Sequence, residues 1–211
     1  KMVYSPISLK YNRDRWNIKL TVPYIKITGP QNVIRNIGQV NQVVSLQQDT
    51  SEGLGDITLA SNYQLFYSPK LKTLIDVTGK VKFGTADENK NLGTGKTDYS
   101  LSFGVYKLMG DFTPYATLGR KFYGDPSAYI LDDVFYGSVG LSYKLSQKTS
   151  MGVDLYLKDK TAPNRSTTRQ LSAYLSHKLD KNWKLQGYLI EGLSENTPDV
   201  GGGFSLAYVF N

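Results

Sequence analysis

The sequence predicts an all-β protein, a transmembrane antiparallel barrel. Three observations carry that reading. Apolar and polar residues alternate at period two in segment after segment. The connections between segments alternate between tight and long. Aromatic residues on the apolar parity gather towards both ends of the segments, as two membrane interfaces require.

The strands follow in order. The first, 2–12, precedes a tight Asn12-Arg13-Asp14-Arg15 connection. In 15–28, Trp16, Ile18, Leu20, Val22 and Tyr24 alternate with Asn17, Lys19, Thr21 and Pro23. In 55–67, Ile57, Leu59, Tyr63, Leu65 and Tyr67 alternate with polar residues. Strands at 72–83, 98–108 and 112–122 continue the series, with Tyr99, Leu101, Phe103 and Val105 on one parity of the second of these. In 135–145 the apolar set is Val139, Leu141, Tyr143 and Leu145, and in 150–158 it is Met151, Val153, Leu155 and Leu157. Leu171, Ala173 and Leu175 mark 168–179, a further strand covers 183–192, and Phe204, Leu206, Tyr208 and Phe210 mark 203–210. Each is about the length of a tilted membrane-crossing strand.

Tight links at 12–15, 68–70, 109–111, 146–149 and 180–182 define one end of the barrel. Long links at 29–54, 84–97, 123–134, 159–167 and 193–202 define the other. Tyr11, Trp16, Tyr67, Phe112, Tyr143, Trp183 and Phe210 form the expected belt at the tight-turn end. Tyr24, Phe83, Tyr99, Phe122, Phe135 and Phe204 form the belt at the long-loop end. Eleven strands are visible. The first and last run in the same direction, and open edges are untenable in lipid, so a twelfth strand is expected before Lys1.

Composition limits the alternatives. The chain has 211 residues, one histidine, no cysteine and a net charge of +7. Without cysteine there is no disulfide framework and no thiolate chemistry. No apolar run reaches the length of a transmembrane helix. A mean hydropathy of −0.35 does not exclude a barrel, in which only alternate residues meet lipid. The lysines are dispersed, so no nucleic-acid partner is expected. No cofactor or metal is called for. Asp87, Glu88 and Asp98 lack the spacing of a calcium loop. Gly93-Thr94-Gly95-Lys96-Thr97 lacks the upstream glycine of a phosphate loop, where Lys90 stands. His177 shares parity with Leu175 and so faces lipid, which argues against an enzyme.

The inward parity supplies candidate pore-lining residues. These are Lys10, Lys19, Lys80, Lys82, Lys121, Lys144, Lys158, Lys178 and Lys184, set against Asp56, Asp76 and Asp154. The basic excess predicts either an anion preference or lysines that are salt-bridged or seated at the interfaces, with little selectivity. Tyr106, Tyr115, Tyr136, Tyr156, Tyr174 and Tyr188 also point inward, either as lumen filling or as faces for aromatic solutes. The 29–54 loop carries Val33, Ile34, Ile37, Val40, Val43, Val44 and Leu46, and is expected to fold into the mouth as a constriction, with packing on a neighbouring loop as the alternative. Pro6 and Pro23, counted as near neighbours opposite Thr21 and Tyr4, mark either two bulges or a lateral seam.

The order of segments resembles the outer-membrane channels of the phenol-degradation meta-pathway transporter family. The resemblance rests on Tyr4-Ser5-Pro6-Ile7-Ser8-Leu9-Lys10-Tyr11, on Val22-Pro23-Tyr24 before Gly29-Pro30-Gln31-Asn32-Val33-Ile34, and on Gly53-Leu54-Gly55-Asp56-Ile57. It continues through 78–87, 92–99, Phe112-Thr113-Pro114-Tyr115-Ala116 and the tail from Trp183 to Phe210. Relatives carry an extra strand upstream, and Asn211 after Phe210 departs from the usual aromatic end. The resemblance implies a twelve-stranded bacterial outer-membrane channel that takes up small, often hydrophobic molecules. A monomer surrounded by lipid and lipopolysaccharide is expected, with a small-molecule solute. The alternative is a structural or secretion barrel acting with a partner chain.

Overall fold

A computed structural model of the protein describes residues 2–30, 48–90, 92–124, 131–163, 166–195, 197 and 199–210. Twelve strands occur among them: β1 Met2–Arg13, β2 Trp16–Pro30, β3 Gln48–Leu54, β4 Thr58–Ser68, β5 Thr73–Lys82 and β6 Asp98–Lys107. The second half comprises β7 Phe112–Phe122, β8 Val134–Lys144, β9 Thr149–Lys158, β10 Thr168–Lys178, β11 Trp183–Gly192 and β12 Val200–Phe210. Each strand from β4 to β12 pairs antiparallel with its chain neighbour, and β1 pairs with both β2 and β12. The sheet therefore closes on itself.

Eleven of the predicted strands are present within a few residues of their predicted bounds. The twelfth, β3, falls inside the stretch predicted as loop. It pairs with β2 from Tyr24↔Leu54 to Pro30↔Gln48, whereas β4 pairs with the lower part of β2 from Trp16↔Tyr63 to Thr21↔Thr58. The two registers differ by one residue across Gly55-Asp56-Ile57. β3 and β4 are thus one stave interrupted by a bulge, and Gly55 N–H donates to the Pro23 carbonyl inside it at 2.9 Å. The barrel has eleven staves.

An odd number of alternating staves closes only through one parallel pair. That pair is β1–β12, in register from Met2↔Gly201 to Tyr11↔Phe210. The expectation that closure needs a twelfth spanning strand is corrected on this point. The parallel pairing lapses at Tyr4, Ser5 and Pro6. The Pro23 carbonyl faces β4, so the directly opposed pair Pro6↔Pro23 directs its remaining backbone groups outward from the β1–β2 ladder. Pro6 therefore presents a ring nitrogen without a hydrogen to β12, where a donor is needed.

This register also corrects the proline positions. Pro6 stands opposite Pro23, not Thr21, because the turn after Arg13 comprises Asp14 and Arg15 alone, with Asp14 at φ 51°. The β1–β2 ladder runs without a register shift from Met2↔Ile27 to Arg13↔Trp16, which removes from this ladder both the lateral seam and the two bulges expected as alternatives at the prolines.

The outer wall is apolar. Ile7, Leu9, Leu101, Phe103, Leu118, Val139, Leu175 and Leu189 are all exposed, and so are the aromatics of both predicted belts except the half-buried Tyr143. One belt member is misplaced by the sequence. A bulge at Leu65 shifts the β4–β5 register, putting Phe66 outside opposite Ile75 and Tyr67 on the inner parity opposite Leu74.

Candidate functional site: the lumen wall

Alternation with the outer residues sets the inner face strand by strand. Its side chains form three levels. Nearest the long loops, Lys82 Nζ lies 2.6 Å from Asp56 Oδ2 and 3.3 Å from Asp98 Oδ2, and Lys121 Nζ lies 3.0 Å from the same Asp98 oxygen. Asp98 is buried and is the hub of this network; Gly124 N–H donates to its other oxygen at 3.3 Å. The two lysines neutralise it. Asp56, on the bulge between β3 and β4, accepts from Ala86 N–H at 3.0 Å, and Lys82 reaches Thr94 Oγ1 at 3.4 Å. Ile57 N–H donates to Thr85 Oγ1 at 2.9 Å, and Leu92 is buried beside Gly53. Ala86 and Thr94 of the following loop are therefore pinned to the inner rim by ion-paired wall residues. The predicted constriction residues Val33, Ile34, Ile37, Val40, Val43 and Val44 lie outside the described residues.

The middle level is tyrosine and glycine. Four inward tyrosines stand directly opposite glycines: Tyr115↔Gly140, Tyr136↔Gly119, Tyr174↔Gly152 and Tyr188↔Gly203. A Cβ on Gly140 would meet Tyr115 Cζ and Oη at 2.5 Å, and one on Gly152 would meet Tyr174 Cε1 at 2.6 Å. Each ring thus lies across the neighbouring strand, flat on the wall, in the space a side chain would take. Hydrogen bonds hold the rings there. Tyr115 donates to Asp154 at 3.1 Å, Tyr174 to Ser142 at 3.0 Å, and Tyr188 to the Tyr4 carbonyl across the lapse in the β1–β12 seam. Tyr106 stacks on Tyr115 with centroids 5.7 Å apart, and Tyr136 packs on Tyr156 at 6.1 Å. Lys158 reaches the Tyr123 hydroxyl at 3.2 Å.

The lowest level, nearest the tight turns, is basic. Lys10 stands opposite Lys19, and Lys178 opposite Lys184. Lys144 pairs in register with Ser150 and Ser150 with Ser176, which joins β8 to the same arc. Lys80 lies two strands from Lys19, across Ala60. Sequence reasoning did not reach Asp98 as an ion-pair hub or Ser176 as a wall residue; both follow from cross-strand register. His177 is exposed on the outer wall and shares a 2.9 Å hydrogen bond with Thr149. An outer groove of about 350 Å³ at Gly137 is lined by Leu118, Phe135, Leu157 and Arg169.

These features define a class: a closed β-barrel with an apolar outer wall and a charged, tyrosine-clad lumen. The profile of a protein family described as Putative MetA-pathway of phenol degradation matches residues 8–210, and the chain belongs to this family. No curated protein matches the chain.

Proposed function

We propose that the protein is a bacterial outer-membrane channel for passive passage of small molecules. The observation that carries this reading is the Tyr–Gly pairing. Rings laid flat over glycines clad the wall instead of crossing the lumen, and most inner-face side chains keep partial access to water. The exposed apolar outer wall supports insertion in lipid, and the groove at Gly137, with Arg169 at its edge, suits an acyl chain of lipid or lipopolysaccharide. Ring faces with adjacent hydroxyls favour amphipathic organic solutes, and the basic excess favours anionic ones. No catalytic role is proposed, and a monomer is the expected form.

Single-channel recording in planar bilayers tests this. Discrete steps of steady current from the refolded barrel are expected. A correctly folded barrel that never conducts would overturn the channel reading, and a partner chain that co-purifies with it would favour a secretion or assembly role.

A further inference from the structure

Lysine is treated differently at the two ends of the lumen. At the long-loop end Lys82 and Lys121 are neutralised by Asp56 and Asp98. At the tight-turn end Lys10, Lys19, Lys178 and Lys184 form no ion pair with any described residue. They are nevertheless close. Lys10 opposes Lys19, Lys178 opposes Lys184, and Lys184 reaches β1 through Ala207, which pairs with Ser8. Lys19 is within electrostatic reach of Lys184, and Lys184 of Lys10. The inward carboxylates of the middle level are engaged elsewhere, Asp154 with Tyr115 and Asp76 with Tyr106.

Like charges opposed across strands destabilise a sheet. Two such pairs on one arc concentrate positive potential without an internal counter-charge. A second, independent observation lies in the same patch. Ser176, two residues before Lys178 on the same strand face, is 1% exposed, and its hydroxyl has no hydrogen-bond partner. A buried hydroxyl of this kind is normally satisfied, so an unpartnered one on the strand face of Lys178, diagonal to Lys184, points to a ligand.

We propose that this arc is a binding station for small oxyanions bearing two or more negative charges, held by Lys10, Lys19, Lys178 and Lys184 with Ser176 as an added donor. Carboxylates and phosphates share the needed chemistry: several acceptor oxygens that take charge-assisted hydrogen bonds at once. A multivalent anion relieves the lysine repulsion at several positions in a single binding event, which chloride does not. The station sharpens the channel reading by naming its solute class, and it rests on that reading for access through the lumen.

The test uses two probes, inorganic pyrophosphate and citrate, on the whole chain. Calorimetry on the detergent-solubilised barrel reads binding without requiring conduction, and bilayer recordings in chloride read block. Both probes should bind, and should reduce current at millimolar concentration. Lys10→Gln/Lys19→Gln should weaken binding about tenfold for each lysine removed, whereas Lys90→Gln, in an exposed long loop outside the lumen wall, should leave it unchanged. Gln retains stem and polarity and relieves repulsion, so folding should persist. Response to one probe alone would assign the station to phosphates or to carboxylates. A conducting barrel that binds neither probe, or binding untouched by the double substitution, overturns the station and leaves the channel standing. Binding without conduction supports the station and overturns the channel.

Discussion

Asp98 shows how one residue can organise a rim. Its carboxylate side chain is 4% exposed and is shared by Lys82 and Lys121, which are 18% and 27% exposed. Removing one member of a buried cluster leaves the others uncompensated. Asp98→Asn should therefore cost about 2 kcal/mol, below the usual range for buried pairs because the lysines retain some water. Urea unfolding in detergent measures it, and adding Lys121→Gln should recover part of the loss; no shift in midpoint would remove Asp98 as a hub. Gly140 makes a steric case. Alanine there would strike both the Tyr115 ring and the Val153 carbonyl, the latter at 2.7 Å. Tyr115 would leave the wall and lose Asp154, so Gly140→Ala should lower single-channel conductance as well as stability. Asp180 makes an electrostatic case outside the strands. Amide hydrogen bonds from Trp183 and Asn182, both 2.7 Å, hold its carboxyl below the usual carboxylate range. A depressed pKa contributes stability in full above the unfolded value, about 3.9, and loses it as pH falls through the folded value. The Asn182 and Trp183 amide resonances should titrate with a midpoint below about 3.9, and Asp180→Asn, which keeps an acceptor oxygen, should abolish that titration. A midpoint at or above the ordinary value would refute it.

The elements were largely legible because burial in a barrel has period two, and period two is written in the order of residues. Strand count, strand ends and the sorting of loops by length all follow from it. What period two does not encode is an extra residue. Leu65 slips one position, so the simple parity put Tyr67 outside and overlooked Phe66. The bulge at 55–57 hid β3, whose Gln48-Asp49-Thr50-Ser51-Glu52 stretch has no apolar alternation to betray it. Turn size was the other blind spot: taking Asn12 to Arg15 as the turn displaced each proline by two positions. Ion pairs such as Lys121–Asp98 depend on register between strands and could be found only once those slips were known. The β1–β12 closure is the element most exposed to test. Ile7 and Leu206 are register partners across it, and the chain has no native cysteine. Ile7→Cys/Leu206→Cys should form a single disulfide under oxidation, seen as a mobility change on unheated gels. Another strand between β1 and β12 would separate the two Cα atoms to about 10 Å, beyond the reach of a disulfide, and no cross-link would form.

At the scale of the whole molecule the two walls are chemically inverted relative to a soluble protein. Large apolar side chains from every stave except β5 are exposed outside, while Ser8, Asp76, Asp98 and Ser176 are buried on the inner face. Such a surface is stable in water only if something covers it, and in lipid it needs no cover. A paired substitution separates these cases. Val139 and Ser138 are adjacent near the middle of β8, with Val139 54% exposed on the outer wall and Ser138 on the inner, hydrogen-bonded to Thr117 at 2.9 Å. If the outer wall faces hydrocarbon, Val139→Arg should cost about 2–4 kcal/mol of folding free energy in vesicles, the depth-dependent penalty for arginine near the bilayer midplane. Ser138→Arg places the same charge one residue away on the inner face and, if the lumen is hydrated as proposed, should lose only the hydroxyl pair, about 1 kcal/mol. It should also increase anion selectivity. Equilibrium unfolding in lipid vesicles gives both numbers from one experiment. Equal costs for the two arginines would mean that the outer wall does not meet a membrane.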